Sequence, residues 1–407
     1  MGRGFFFNIS AHGHVNPTLP LVAELVRRGE TITYHAGESE RARIASTGAR
    51  FRTFPSEMAP FRSPKSPEVD HLVFDCLLNG MPRWIEQALE EKPDYILFDF
   101  LAFWGRILAE QIGVPSIVVY PNPIPVIESM PPRIVFQMID HLLPLGRKVR
   151  RMRQEIASRY HRPHQTFVEF LLDPGDDLRL VLTTREFQPS ADRLTGPVHF
   201  VGPCHPDLPE KPEFPWEDLG GGPVVYATLG TVYGNNRSFF QTCIRAFSGF
   251  EGCVVLSTGN GLDPAELGPL PPRFIARRFV PQSELLERSH LFITHGGMNS
   301  IHSGLRHGVP MVVIPQGIAS DQHGNARTVE ALGVGSRLGR LGLRASVLRA
   351  TAERLLSNTA IPSRLRRLRE QYAGADSVRR GADLILECAR KRVTRRLRNT
   401  PSTWRAA

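Results

Sequence analysis

A chain of 407 residues exceeds what one hydrophobic core normally organises, so two domains are expected. Charged residues at 22% and hydrophobic residues at 41% are globular proportions and exclude a disordered or fibrous chain. The formal net charge of +10 points to an anionic partner, but the arginines clustered at 147–153 and 363–398 come with neither a Cys/His metal pattern nor interleaved aromatics, which argues against nucleic acid and for solvated helix faces.

Phe5–Ser10 is a continuous apolar run and reads as a first buried strand. A loop follows, and then a helix over Pro17 to Arg28 that aligns Leu19, Leu21, Val22, Leu25 and Val26, with Asn16 as its N-cap and Gly29 as its stop. The reading continues with a strand Thr31–Ala36, a helix near 82–91, a strand Tyr95–Phe100, a helix near 103–112 and a strand Ser116–Tyr120. This alternation predicts a parallel, doubly wound α/β sheet. Residues 121–172 break the rhythm with Pro-rich turns and mixed helices. Gly202 to Pro223 is rich in Pro and Gly and reads as a linker. A second series predicts strands at Val224–Leu229, Val254–Ser257, Phe274–Phe279, Leu291–Thr294 and Met311–Ile314, followed by Arg- and Leu-rich helices. The domains expected are 1–202, a linker 203–222, 223–380, and a basic helix 381–407 packed back on the first domain.

The five cysteines (Cys76, Cys204, Cys243, Cys253, Cys388) form no Cys-x-x-Cys pair, which suggests reduced thiols in a cytoplasm. No run approaches the ~20 apolar residues of a membrane span, and Phe5–Ile9 is too short for a signal-peptide core. A cytoplasmic protein without membrane contact, monomeric or homodimeric, is expected.

The loop after the first strand, Ser10-Ala11-His12-Gly13-His14-Val15, lacks the Gly-x-Gly-x-x-Gly of a dinucleotide site and presents two histidines instead. In the second half, Thr294-His295-Gly296-Gly297-Met298-Asn299-Ser300 lies where a buried strand turns into a helix. Two glycines allow close backbone approach, and the helix N-terminus with Asn299 and Ser300 offers donors suited to a pyrophosphate. By itself such a turn is equally a tight strand–helix connection.

Its surroundings narrow the choice. Phe279-Val280-Pro281-Gln282 precedes it, and Gly308-Val309-Pro310 and Asp321-Gln322-His323-Gly324-Asn325-Ala326 follow. This ordered set resembles the nucleotide-sugar signature of family 1 glycosyltransferases, and His12-Gly13-His14-Val15-Asn16-Pro17-Thr18-Leu19-Pro20-Leu21 resembles the opening of the bacterial macrolide-type group. The resemblance covers almost the whole chain. It implies the GT-B fold, two Rossmann-like domains facing across a cleft, and an inverting transferase.

The resemblance makes His14 the general base and Asp99 its orienting carboxylate. With strand order 3-2-1-4-5 the loops after strands one and four are neighbours, so the pair can meet. An imidazole titrating near ~6.5 can take an acceptor proton, and a carboxylate on its other nitrogen holds the tautomer. His12 is expected to fix the loop. The resemblance assigns the donor phosphates to His295, Gly297, Asn299 and Ser300, the nucleobase to Val280 and Gln282, and sugar hydroxyls to Asp321 and Gln322. Thr228 and Thr231 are expected to face the leaving phosphate. One position departs from the family, which usually has a ribose-binding glutamate where this chain has Ser303. The retained Asp321-Gln322 pair makes UDP-glucose the first donor expected, and because Ser303 makes only one neutral contact a deoxyribose (dTDP) sugar is the second. His302 is read as a surface histidine.

The chain contains no Asp-x-Asp, the metal handle of the other main transferase fold, and no cofactor or metal is expected. The acceptor is expected to be a small apolar polyketide, macrolide or flavonoid, with Phe61, Phe74, Met81, Trp84 and Phe136 as candidate walls. Two rival readings remain: a lipid-acceptor transferase using the basic run 147–153 at a membrane surface, and a silent nucleotide-sugar-binding auxiliary protein.

Overall fold

The computed structural model describes residues 1–54, 77–125, 144–161, 175–188, 190–204, 213–230, 233–317, 321–374 and 376–399, with positions 165, 169 and 173. The chain divides into two compact units. One comprises Met1–Pro206 with Asp376–Ala407, the other Asp207–Ala375.

The first unit carries a seven-stranded parallel sheet in the order β3-β2-β1-β4-β5-β6-β7. Its strands are β1 Arg3–Phe7, β2 Thr31–Ala36, β3 Arg50–Thr53, β4 Tyr95–Asp99, β5 Ser116–Tyr120, β6 Leu178–Val181 and β7 Val198–Phe200. The helices are α1 His12–Val15, α2 Leu19–Arg27, α3 Arg41–Ala45, α4 Met81–Glu91, α5 Trp104–Ile112 and α6 Pro144–Arg159. Phe5, Phe6 and Phe7 are all buried, as a central parallel strand covered on both faces requires.

The second unit repeats the plan with six parallel strands in the order β10-β9-β8-β11-β12-β13. They are β8 Val224–Thr228, β9 Cys253–Ser257, β10 Phe274–Arg277, β11 Leu291–Thr294, β12 Met311–Val313 and β13 Gly335–Arg337. Around them lie α7 Arg237–Phe247, α8 Gln282–Arg288, α9 Met298–His307, α10 Asp321–Ala331, α11 Ala345–Leu356 and α12 Ile361–Gly374. The last helix, α13 Ser377–Asn399, returns to the first unit. Gly381 sits so close to α2 that a Cβ there would lie 3.0 Å from Leu21 Cδ1, and Arg28 pairs with Asp383.

Several expectations change. Asn16 is not the N-cap of α2: His12–Val15 is already helical, Asn16 with αR torsions follows at its C-terminal end, and Asn16–Thr18 is a 3-10 turn leading into α2. The histidine loop is therefore a turn of helix. The first strand ends at Phe7, although the Asn8 N–H still pairs with the His35 carbonyl at 3.0 Å. The irregular segment 121–172 contains a regular sixteen-residue helix, α6. The tail of the expected linker forms a 3-10 turn, Trp216–Leu219, with the Arg288 guanidinium 4.4 Å over the Trp216 ring. Strands β3, β6, β7 and β13 escaped notice: β3, β7 and β13 are short edge strands with polar side chains, and β6, although interior and buried, is a four-residue strand whose apolar run is interrupted by Arg179.

Two buried titratable groups, one an ion-pair cluster and one a neutral histidine, stand in the first unit. Arg106 donates to Asp176 through Nε at 2.9 Å and Nη2 at 2.6 Å, and its Nη1 lies 3.1 Å from Asp173. Burial alone would lower the Arg106 pKa, but the two carboxylates win and raise it; burial raises that of Asp176. His35 is enclosed against Phe7, with stacked rings 4.4 Å apart, and burial holds its pKa down to about 4, so it is neutral.

Candidate active site

In the first unit the site begins at the carboxyl ends of β1 and β4, which pair side by side. Asp99 closes β4 and is fully buried. Its Oδ1 accepts the Leu101 N–H at 2.9 Å, and its Oδ2 lies 2.8 Å from His14 Nδ1. One oxygen is thereby tied to the backbone and the other aimed at the ring. The His14 side chain, 15% exposed, lies stacked over Phe100 with centroids 5.6 Å apart. The two residues are 85 positions apart in sequence and meet only because β1 and β4 are adjacent. A carboxylate on Nδ1 sets the tautomer that leaves Nε2 as the basic nitrogen. His12 turns outward, its Nδ1 3.0 Å from Arg43 Nη1 and 3.5 Å from Glu40 Oε1, which ties α1 to the turn before α3.

In the second unit the matching feature is the end of β11. Gly296 adopts φ +90°, and a Cβ there would lie 2.6 Å from Val313 Cγ1, so glycine is required twice over. Gly297 caps α9 without a side-chain bond, which leaves the positive end of a ten-residue helix at the turn. His295 is wedged between glycines. A Cβ on Gly297 would stand 2.5 Å from its Nε2, and one on Gly230, where φ is +69°, 2.7 Å from its Cε1. Burial holds His295 down to about 4, so the ring is neutral, and its Nδ1 has no hydrogen-bond partner among the described residues. Asn299 is half-buried and Ser300 buried in the first turn of α9.

Ser303 lies one turn on. Its hydroxyl donates to the Asn299 carbonyl at 2.9 Å and faces Gln282 Nε2 at 3.4 Å, and Gln282 Oε1 accepts from the Tyr226 hydroxyl at 3.2 Å. Val280 is buried just before α8. Asp321 and Gln322 open α10, but only Asp321 is exposed. Gln322 is buried, and its Oε1 accepts the N–H of Gln316 at 2.8 Å and of Gly317 at 3.4 Å. Thr228 accepts the Gly230 N–H at 3.1 Å, which tightens the turn after β8.

The structure thus gathers His14 with Asp99 in one unit and His295, Gly297, Asn299, Ser300, Ser303, Gln282, Asp321 and Gln322 around the ends of β8, β11 and β12 in the other. Thr231, Phe61, Phe74 and Phe136 lie outside the described residues. Met81 and Trp84 are corrected from acceptor walls to core. Met81 has no exposed surface, and Trp84, 4% exposed, stacks on Trp104 at 5.9 Å and meets Phe7 edge-on. An amphipathic helix buries its apolar stripe, and that is the stripe on which both lie. His302 is corrected too: it is buried on the face of α9 that meets α12, edge-on to Tyr372. Sequence reasoning missed Tyr226, Tyr233 and Gln316, which carry no motif. Tyr233 nevertheless bonds Gln322 and helps line an open recess of about 560 Å³ with Gln316 and Arg340.

Gly297→Ala is expected to push the His295 ring aside and weaken nucleoside diphosphate binding about tenfold, the ~1–3 kcal/mol of an overpacked site. Calorimetry with UDP and dTDP checks this; unchanged affinity for both would show that the ring plays no part in binding.

Residues 244–379 match the family described as erythromycin biosynthesis protein CIII-like, C-terminal domain. Along 93% of its length the chain is 31% identical to an oleandomycin glycosyltransferase of Streptomyces antibioticus, covering 89% of that protein. It is 28% identical to YojK of Bacillus subtilis (strain 168), named an uncharacterized UDP-glucosyltransferase, covering 97% of this chain and 99% of that protein. Among solved structures, the glycotransferase of kitacinnamycin superposes with a TM-score of 0.83 at 30% identity, over 95% of this chain and 99% of that one.

Proposed function

The chain belongs to the macrolide-type family 1 glycosyltransferases of the GT-B fold, and on that premise we propose that it moves a sugar from a nucleoside diphosphate to a hydroxyl of a small apolar natural product, inverting the anomeric centre. The observation that carries the reading is the His14–Asp99 pair at 2.8 Å. In the proposed step His14 Nε2 takes the proton of the acceptor hydroxyl as that oxygen attacks the anomeric carbon opposite the nucleotide. Asp99 holds the ring and offsets the positive charge it gains, and base catalysis of this kind contributes about 10²–10⁴-fold. One displacement with no covalent intermediate inverts the configuration.

The departing diphosphate is assigned to the start of α9, where the helix dipole, the backbone N–H groups and the Asn299 and Ser300 side chains favour negative charge. A neutral His295 adds a ring N–H without a competing charge of its own. Asp321 and Gln322 are the proposed contacts of the sugar hydroxyls; with Gln322 Oε1 engaged by backbone, its amide N–H₂ is the part that reaches the sugar. Glucose from UDP-glucose is the first donor, supported by the UDP-glucosyltransferase relative and by the Asp321–Gln322 pair. Ser303, already donating to Asn299, offers the ribose a single neutral contact, so dTDP sugars are the second donor class.

A panel of aglycones incubated with UDP- and dTDP-sugars and followed by mass spectrometry tests the reading. An α-linked donor should give a β-linked product by NMR, and turnover should persist in excess EDTA because the helix terminus, not a cation, takes the phosphate charge. Retained configuration or a strict divalent-metal requirement would overturn this mechanism.

A further inference from the structure

The His14 imidazole projects from α1, a four-residue turn of helix with no side-chain cap at its N-terminus. So short a helix has almost no stability of its own, since nucleation fixes several residues for a single hydrogen bond. Its carbonyls are gripped from outside. Asn8 Nδ2 donates to the His14 carbonyl at 3.2 Å, and Thr18 Oγ1 donates to the Val15 carbonyl at 2.7 Å. Both grips meet at the Tyr34 hydroxyl, which lies 2.8 Å from Asn8 Nδ2 and 2.8 Å from Thr18 Oγ1.

All three residues are fully buried, Asn8 just past β1, Tyr34 within β2 and Thr18 just before α2, so the network ties the turn to the rigid sheet. Asn8 Oδ1 has no hydrogen-bond partner among the described residues. A buried amide that leaves its oxygen unpaired is poorly explained by stability alone, because an apolar residue would avoid the desolvation.

We propose that Asn8, held by Tyr34 and Thr18, is a positioning residue that sets where the His14 ring stands against Asp99 and the acceptor oxygen. This rests on the base role given to His14 above. Asp99 fixes one end of the ring through Nδ1, and Asn8 fixes the backbone from which the ring hangs. With both ends held, Nε2 keeps one location, and a displacement of about 1 Å can cost about 100-fold in rate.

The test compares Asn8→Ala, Tyr34→Phe and Thr18→Val using two phenolic acceptors of similar size from the panel, one ionised at the assay pH and one protonated. A phenolate needs no base; a protonated phenol does. For Asn8→Ala, kcat with the protonated phenol should fall about 10–100-fold, and with the phenolate less than about threefold, while KM for the donor stays unchanged. Tyr34→Phe and Thr18→Val remove single hydroxyls with little change in volume and should show the same split at smaller size, which preserves the test if Asn8→Ala folds poorly.

Added to His14→Ala, Asn8→Ala should lower the residual rate no further, as expected of two residues acting through one group. Equal losses on both acceptors, or full activity in all three variants, would overturn the positioning role. If His14→Ala itself retained normal turnover, the base assignment would be what failed.

Discussion

Replacing His14 by alanine is expected to lower sugar transfer about 10²–10⁴-fold while leaving nucleoside diphosphate binding intact. The ring is the group placed to take the acceptor proton, and Asp99 Oδ2, 2.8 Å from Nδ1, is its companion. The diphosphate contacts proposed at the start of α9 belong to the other unit of the chain and do not involve this ring. Donor affinity measured by calorimetry should therefore match the parent protein when turnover is nearly gone. Asp99→Asn should follow the same pattern at similar size, because the Leu101 N–H keeps the amide oxygen and the amide N–H₂ then faces Nδ1, which favours the tautomer with its proton on Nε2 and removes the base. Near-normal kcat in His14→Ala would remove the imidazole from the mechanism. A parallel loss of UDP binding would mean that the variant had damaged the fold.

Arg106→Met should destabilise the first unit by about 3–5 kcal/mol, the cost of stranding a buried charge without its partner. Asp176, fully enclosed, receives two hydrogen bonds from this guanidinium, and burial already pushes its pKa up. Without Arg106 that pKa rises further. A carboxyl whose folded pKa lies above its unfolded value makes the fold weaker at high pH than at low pH, because protonation relieves the folded state first. The gap between variant and parent in urea midpoint should therefore narrow as the pH is lowered towards the acid range. Arg106→Met combined with Asp176→Asn should recover part of the loss at neutral pH. A single variant as stable as the parent would show that solvent reaches Asp176.

The alternating apolar runs made both doubly wound sheets legible, and with them the adjacency of β1 and β4 on which the His14–Asp99 pair depends. Strands such as Ser116–Tyr120 and Leu291–Thr294 were readable residue by residue because central parallel strands, buried on both faces, spell continuous apolar stretches. The donor motifs were legible for a related reason: Gly296 and Gly297 stand where backbone torsion or a neighbouring ring leaves no room for a Cβ.

Whether an apolar or aromatic residue faces ligand or core was not legible. Helical periodicity marks Met81 and Trp84 as one face of α4, and only the packing of Trp104, Phe54 and Phe7 against that face decides that it points inward. The same holds for His302, polar by type and buried by position. Local pattern determines which segments become strands and helices, because hydrogen bonding and side-chain alternation act between near neighbours. Burial, the support of α1 by Asn8, Thr18 and Tyr34, and the diversion of Ser303 to its own helix carbonyl depend on which distant segments arrive alongside, and that is settled only when the sheets close.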